Sequence, residues 1–101
     1  MRGITITYKY SGPEEAWREA METFIAAINS DSDVAGKFTY QVAVADDGET
    51  RIHWGRWDSQ ETLKTLQSRD YFGAFAGKVR EFAGGQPTNT GADIHFKTEG
   101  W

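Results

Sequence analysis

Apolar residues in this chain recur at every second position, then at helical spacing, then at every second position through two runs, then helically again, and finally at every second position. Side chains alternate across a strand and recur about every 3.6 residues on a helix, so the order of these periods is an order of elements. Ile4, Ile6, Tyr8 and Tyr10 alternate with Thr5, Thr7 and Lys9 as a first strand. Gly12-Pro13-Glu14-Glu15 opens a helix, with proline suited to the first helical position and acids facing the positive end of the helix dipole. Trp17, Ala20, Met21, Phe24, Ile25 and Ile28 then form one apolar stripe that ends near Asn29.

A polar loop over 29–33 precedes a second strand, in which Phe38, Tyr40, Val42 and Val44 alternate with Thr39, Gln41 and Ala43. Asp46-Asp47-Gly48 signals a turn, and the chain returns over 50–57 as the other half of a hairpin. Asp58-Ser59-Gln60-Glu61 has the spacing of a capping box and starts a short helix carrying Leu63 and Leu66. Ser68-Arg69-Asp70 interrupts it. Tyr71, Phe72, Phe75, Val79 and Phe82 make a further helical stripe that stops at Gly84-Gly85. A loop is expected over 86–91 and a last strand over 92–97, where Ala92, Ile94 and Phe96 alternate with Asp93, His95 and Lys97.

The resulting βαββαβ order predicts one α+β domain spanning 1–101, with a ferredoxin-like, split-βαβ arrangement. In that arrangement the strands run in the spatial order four, one, three, two. The first and third are expected to be central and parallel, with both helices on one face of an antiparallel sheet.

Composition narrows the function classes. A formal net charge of -4 argues against phosphate-backbone binding, which draws on clustered Lys and Arg, so no nucleic-acid partner is expected. The absence of cysteine removes disulfides, thiolate metal sites and cysteine nucleophiles. The first strand lacks the apolar core of a signal peptide, and no run approaches the roughly 20 apolar residues of a membrane span. The expectation is a cytoplasmic protein with no membrane partner. Asn29, Asp31 and Asp33 resemble a calcium loop only superficially, since Val34 stands where its glycine is needed and Tyr40 where its closing glutamate belongs.

Sorting the strands by parity gives two unlike faces. Ile4, Ile6, Tyr8, Phe38, Tyr40, Val42, Val44, Ile52, Trp54, Ile94 and Phe96 fall on the face assigned to the core. Thr5, Thr7, Lys9, Thr39, Gln41, Ala43, Arg51, His53, Gly55, Trp57, Asp93, His95 and Lys97 fall on the other. That second face is short of acids and holds both histidines, a composition suited to the wall of a half-buried cavity closed by a second copy of the chain.

The run His53-Trp54-Gly55-Arg56-Trp57-Asp58-Ser59-Gln60-Glu61-Thr62-Leu63, followed by Ser68-Arg69-Asp70-Tyr71-Phe72-Gly73-Ala74-Phe75, resembles the antibiotic biosynthesis monooxygenase family of dimeric α/β barrels. The resemblance implies a homodimer, paired through its sheets around an interior cavity, and relatives that include cofactor-free oxygenases of polycyclic phenols, haem-degrading oxygenases and isomerases. The helical Trp and haem-ligating His of the haem-degrading members would fall near Leu66 and Ala76, and a His common elsewhere in the family is replaced at Leu66 and Gln67. Haem degradation is therefore disfavoured and no cofactor is expected.

Two functions fit these residues. In one, His53 or His95 is a general base for a cofactor-free oxygenase of an aromatic or quinol-like substrate. Trp57 would stack on the ring, Gln41, Thr5 or Thr7 would orient it, and Arg51 or Lys9 would hold an anionic oxygen. In the other, the same cavity belongs to a non-catalytic dimeric binding or accessory module. At about 10 Å apart, two strands away from each other, the histidines are not expected to share a metal.

Overall fold

A computed structural model describes residues 1–100. The chain runs β1 (Arg2–Lys9), α1 (Glu14–Ser30), β2 (Phe38–Val44), β3 (Thr50–Trp57), α2 (Gln60–Gln67), α3 (Asp70–Ala83) and β4 (Thr88–Asp93). The four strands form one sheet in the order β2-β3-β1-β4. Every neighbouring pair is antiparallel, including the central β1 and β3. This corrects the parallel orientation expected for that pair. The α1 crossover brings β2 back in the direction of β1, and the tight hairpin then reverses the chain, so β3 must oppose them both.

The hairpin turn is built by Asp47, whose Oδ1 accepts from the backbone N–H groups of Glu49 and Thr50 at 2.8 Å each, while Gly48 takes a positive φ of 76°. At the start of α2, Ser59 caps by accepting from the Thr62 backbone N–H, and Thr62 Oγ1 donates to Asp58 at 2.6 Å. The cap thus sits one residue later than the capping-box spacing implied. α3 ends where Gly84 enters the left-handed region, as the double glycine predicted.

Helices cover one face of the sheet. Trp17, Met21, Phe24 and Ile28 of α1, Leu66 of α2, and Phe75 and Val79 of α3 pack on Tyr8, Phe38 and Trp57 from the strands. Phe24 and Phe75 join α1 to α3 as stacked rings 3.8 Å apart and 2° from parallel. Among the described residues no helix is long and apolar enough to cross a membrane.

The last strand lies earlier than periodicity placed it, at Thr88–Asp93 instead of 92–97. β4 is an edge strand with every residue exposed, so it has no apolar face to reveal itself. Ile94 follows the strand, donating its N–H to the Met1 carbonyl at 2.9 Å, and Phe96 beyond it is 95% exposed. Neither belongs to the sheet core to which it was assigned.

Candidate functional site

Registration of β3 decides where the candidate residues go. Ile6 and Val42 both lie opposite His53, Tyr8 lies opposite Arg51, and Phe38 lies opposite Trp57. Residues directly across a ladder share a face, so Arg51, His53, Gly55 and Trp57 point toward the helices. All four are buried, whereas Trp54 is 51% exposed. The sequence reading had the parity of β3 inverted. Ile52 and Trp54 lie on the open face, beside Thr5, Thr7, Thr39, Gln41, Thr88 and Thr90.

The seven candidate residues therefore separate. Thr5, Thr7 and Gln41 lie on the open face as expected; Arg51, His53 and Trp57 lie on the helix-covered face; and His95 is exposed on the segment after β4. A composite site of both histidines with Gln41, Arg51 and the threonines is not assembled in the chain.

Beneath the helices is a cavity of about 230 Å³ between the sheet and the α2 and α3 helices. Its walls are Ile4, Ile6, Phe38, Tyr40 and Trp57 from the strands and Leu63, Phe72, Phe75 and Val79 from the helices. The exposed residues Gln67, Arg80, Gln86 and Asn89 ring its mouth. Of the predicted residues Trp57 lines it, and Tyr40 was missed as a site residue because parity had correctly put it in the core. Gly55 makes the space that Tyr40 occupies. A Cβ there would lie 3.2 Å from Tyr40 Cδ1 and 3.3 Å from Phe38 Cζ.

Behind Tyr40 runs a buried polar chain. Tyr40 Oη lies 2.7 Å from His53 Nδ1, and His53 Nε2 lies 2.8 Å from Tyr8 Oη. Trp17 Nε1 donates to Tyr8 Oη at 2.9 Å. His53 is fully buried, and burial pushes its pKa down to about 4. Burial likewise raises Tyr40, with a smaller push from neighbouring Tyr8. At neutral pH the imidazole is neutral and both phenols keep their protons.

Arg51 is committed elsewhere. It is 2% exposed and makes a bidentate pair with Glu14, at 2.8 and 3.0 Å, while donating to the Tyr10 and Gly48 carbonyls. Parity put it on an exposed face, but a guanidinium can be buried when each of its nitrogens finds a partner, and here all three do. It ties the first turn of α1 to the ends of β1 and β3, and it does not line the cavity. Asp31 and Asp33 serve a similar purpose at the other end of α1. Asp31 Oδ2 accepts from Arg69 Nε at 2.9 Å and from Tyr71 Oη at 2.6 Å, and Asp33 accepts from Arg69 at 2.7 Å. The polar loop thereby joins α1 to the start of α3.

No protein-family model matches this chain, and no curated protein matches it in sequence. Solved structures do match. Rv0793 from Mycobacterium tuberculosis superposes with a TM-score of 0.78 at 12% identity, over 97% of this chain and 98% of that one. A Caulobacter crescentus protein assigned as an antibiotic biosynthesis monooxygenase gives 0.71 at 19% identity, over 94% and 90% of the two chains. The fold is that of the antibiotic biosynthesis monooxygenases. SnoaB, a cofactor-independent oxygenase from Streptomyces nogalater, shares it with a TM-score of 0.68 at 10% identity, over 97% of this chain and 95% of that one. At such identities the likeness is one of backbone path, and the fold implied by the sequence resemblance is the one found.

Proposed function

We propose that this chain binds a small aromatic or quinol-like molecule in the cavity under α2 and α3 and oxygenates it without a cofactor. The observation that carries this reading is an aromatic-walled cavity with Tyr40 in its wall and His53 hydrogen-bonded to the Tyr40 hydroxyl. The shared fold with a cofactor-independent oxygenase supports it by analogy. Size limits the substrate. An apolar cavity of about 150 Å³ takes a benzene ring, and drug-sized ligands need roughly 300 Å³ or more. At about 230 Å³ the space suits one or two fused rings better than the polycyclic phenols suggested by the family resemblance.

The reaction in question converts a ring CH₂ to a carbonyl. One oxygen atom of O₂ goes to carbon, the other leaves as water with the two hydrogens, and the carbon loses four electrons to the dioxygen. Apolar walls would exclude water from the electron-rich intermediate. Trp57 offers a face on which a ring can stack, and His53 acts through Tyr40 as a positioning residue, since it does not line the cavity. His95 has no part in this scheme.

Oxygen uptake tests the reading, with bicyclic benzylic ketones that carry a ring CH₂, such as indanones and tetralones, as substrates. Uptake is expected to fall at least about tenfold in Tyr40→Phe, since an interaction worth 1.4 kcal/mol in the transition state is tenfold in rate. It should be unchanged in His95→Ala. Binding without uptake above buffer would instead establish a non-catalytic binding module. One observation favours that second reading: burial lowers His53 to about 4, which makes its neutral imidazole a weak base, and Tyr40, shifted up, keeps its proton, so neither is suited to draw a proton from carbon at neutral pH.

We also infer a homodimer in which a second copy covers the open sheet face. Trp54 and Ile52 stand there among threonines, an apolar centre in a polar surround that matches the usual anatomy of an interface. The proposed cavity and the proposed interface then lie on opposite sides of one sheet.

A further inference from the structure

We infer that the buried hydrogen bonds all run one way, from Trp17 to Tyr8 to His53 to Tyr40, so that Tyr40 donates its own proton into the cavity and selects ligands bearing a neutral acceptor oxygen, such as an aryl ketone or quinone. The selection rests on the cavity being a ligand site, as proposed above; the direction of the hydrogen bonds does not.

The direction follows from allotting each proton. Trp17 Nε1 can only donate, and it donates to Tyr8 Oη. A neutral imidazole carries one N–H, so one ring nitrogen of His53 donates and the other accepts. If Nε2 carried the proton, Tyr8 would receive hydrogen bonds from both Trp17 and His53. Its own O–H would then have no acceptor, because Tyr8 is buried and, among the described residues, His53 Nε2 is the one acceptor it reaches. Buried donors are seldom left so. With the proton on Nδ1, Tyr8 accepts from Trp17 and donates to Nε2, and His53 donates to Tyr40 Oη. Every proton of Trp17, Tyr8 and His53 is then placed.

What remains is the Tyr40 proton. Its oxygen already accepts from His53, and Tyr40 is partly exposed on the cavity wall. A donor that itself accepts a hydrogen bond is polarised and made a better donor. Facing apolar and aromatic side chains, it is matched by a ligand oxygen with lone pairs and left unsatisfied by a hydrocarbon of the same shape. The Nδ1–H tautomer is the less common form of a free imidazole, so its presence would report the relay directly.

Two measurements on the folded protein test this. Long-range ¹⁵N–¹H correlation at pH 7 reads which nitrogen of each ring is protonated, and the chain has two histidines, so His53→Gln assigns the signals. The expected form for His53 is protonated Nδ1 and bare Nε2. A protonated Nε2 would overturn the relay whatever binds. Acetophenone and its isostere α-methylstyrene then probe the cavity by calorimetry. Acetophenone is expected to bind about five- to tenfold more tightly, as one net hydrogen bond allows, with the order reversed in Tyr40→Phe, where only hydrophobicity remains. Equal preference in the wild type and Tyr40→Phe would overturn the selection. If neither compound binds, the cavity is not a site for small aromatics, and the tautomer still decides the relay.

Discussion

The guanidinium of Arg51 lies 4.3 Å from the centre of the Trp17 ring, and Trp17 in turn donates to the tyrosine that meets His53. The ion pair that fastens α1 therefore also fixes the far end of the hydrogen-bonded chain behind Tyr40. Replacing Arg51 by Leu removes the Glu14 pair, three carbonyl contacts and the ring contact, yet leaves Glu14 in the solvated first turn of α1. A loss of about 2 kcal/mol is expected, less than for a pair whose survivor stays buried. Urea unfolding measures it. The Arg51 hydrogen bond holds the Glu14 carboxyl below its ordinary value, so this stabilisation is complete above the usual carboxylate pKa and fades as pH falls through the folded value. The gap between wild type and Arg51→Leu should narrow in acid.

His53 supplies a second pH dependence. Its folded pKa of about 4 lies below the unfolded value near 6.5, so the unfolded chain binds the extra proton first. The contribution is present above pH 6.5, shrinks as pH falls, and is gone below about pH 4. Roughly 3 kcal/mol is at stake over that window. His53→Gln should flatten the stability profile between pH 4 and 6.5, and a profile as steep as the wild type's would show that other groups cause the slope.

How much of this could be read from the sequence depended on the strand. β1 and β2 were legible because their two parities differ plainly, as Ile, Ile and Tyr against Thr, Thr and Lys do in β1. In β3 hydropathy favoured Ile52 and Trp54 for the core, but the buried set is Arg51, His53, Gly55 and Trp57. Polar groups can take core positions when partners wait for them, and those partners, Glu14, Tyr8 and Tyr40, come from elsewhere in the chain. One clue was present. Trp57 immediately precedes the capped start of α2, where a large aromatic is drawn beneath the helix, and period two would have carried His53 and Arg51 with it. β4 offered no comparable clue, because an exposed edge strand has no hydrophobic pattern to read.

Asp31 links the end of α1 to α3, and Arg69, then Tyr71, lowers its pKa to about 2. Sign and window follow: the stabilisation is full above about pH 4 and is lost as pH drops through 2. Asp31→Asn is expected to lower the Tm by about 5 °C at pH 7, the scale of a 1 kcal/mol loss in a chain this size, with the difference vanishing near pH 2. Differential scanning fluorimetry across that range would show it.

Separation of the two sheet faces gives a further expectation. Trp54→Glu places a charge at the centre of the proposed dimer surface, so sedimentation velocity at micromolar concentration should show a monomer of about 11 kDa. Acetophenone affinity should be unchanged, because Trp54 does not line the cavity. Loss of both together would mean that the cavity depends on the partner.

Gly55→Ala tests the cavity from the inside. The new methyl would press on the Tyr40 and Phe38 rings at 3.2 to 3.3 Å, tighter than ordinary contact, and those rings would have to give way. A destabilisation of about 1–3 kcal/mol is expected, together with a weaker preference for acetophenone as the Tyr40 hydroxyl moves off its line. Unaltered Tyr40 and His53 resonances would rule out the displacement.

Along β3, successive positions belong to different tasks: Ile52 and Trp54 face outward, His53 and Gly55 inward. A drifting lineage could thus rewrite the proposed assembly surface at even positions and the proposed ligand preference at odd ones, each nearly free of the other. The same strand makes insertions dangerous, since one added residue would exchange the two sets and spoil both inheritances at once.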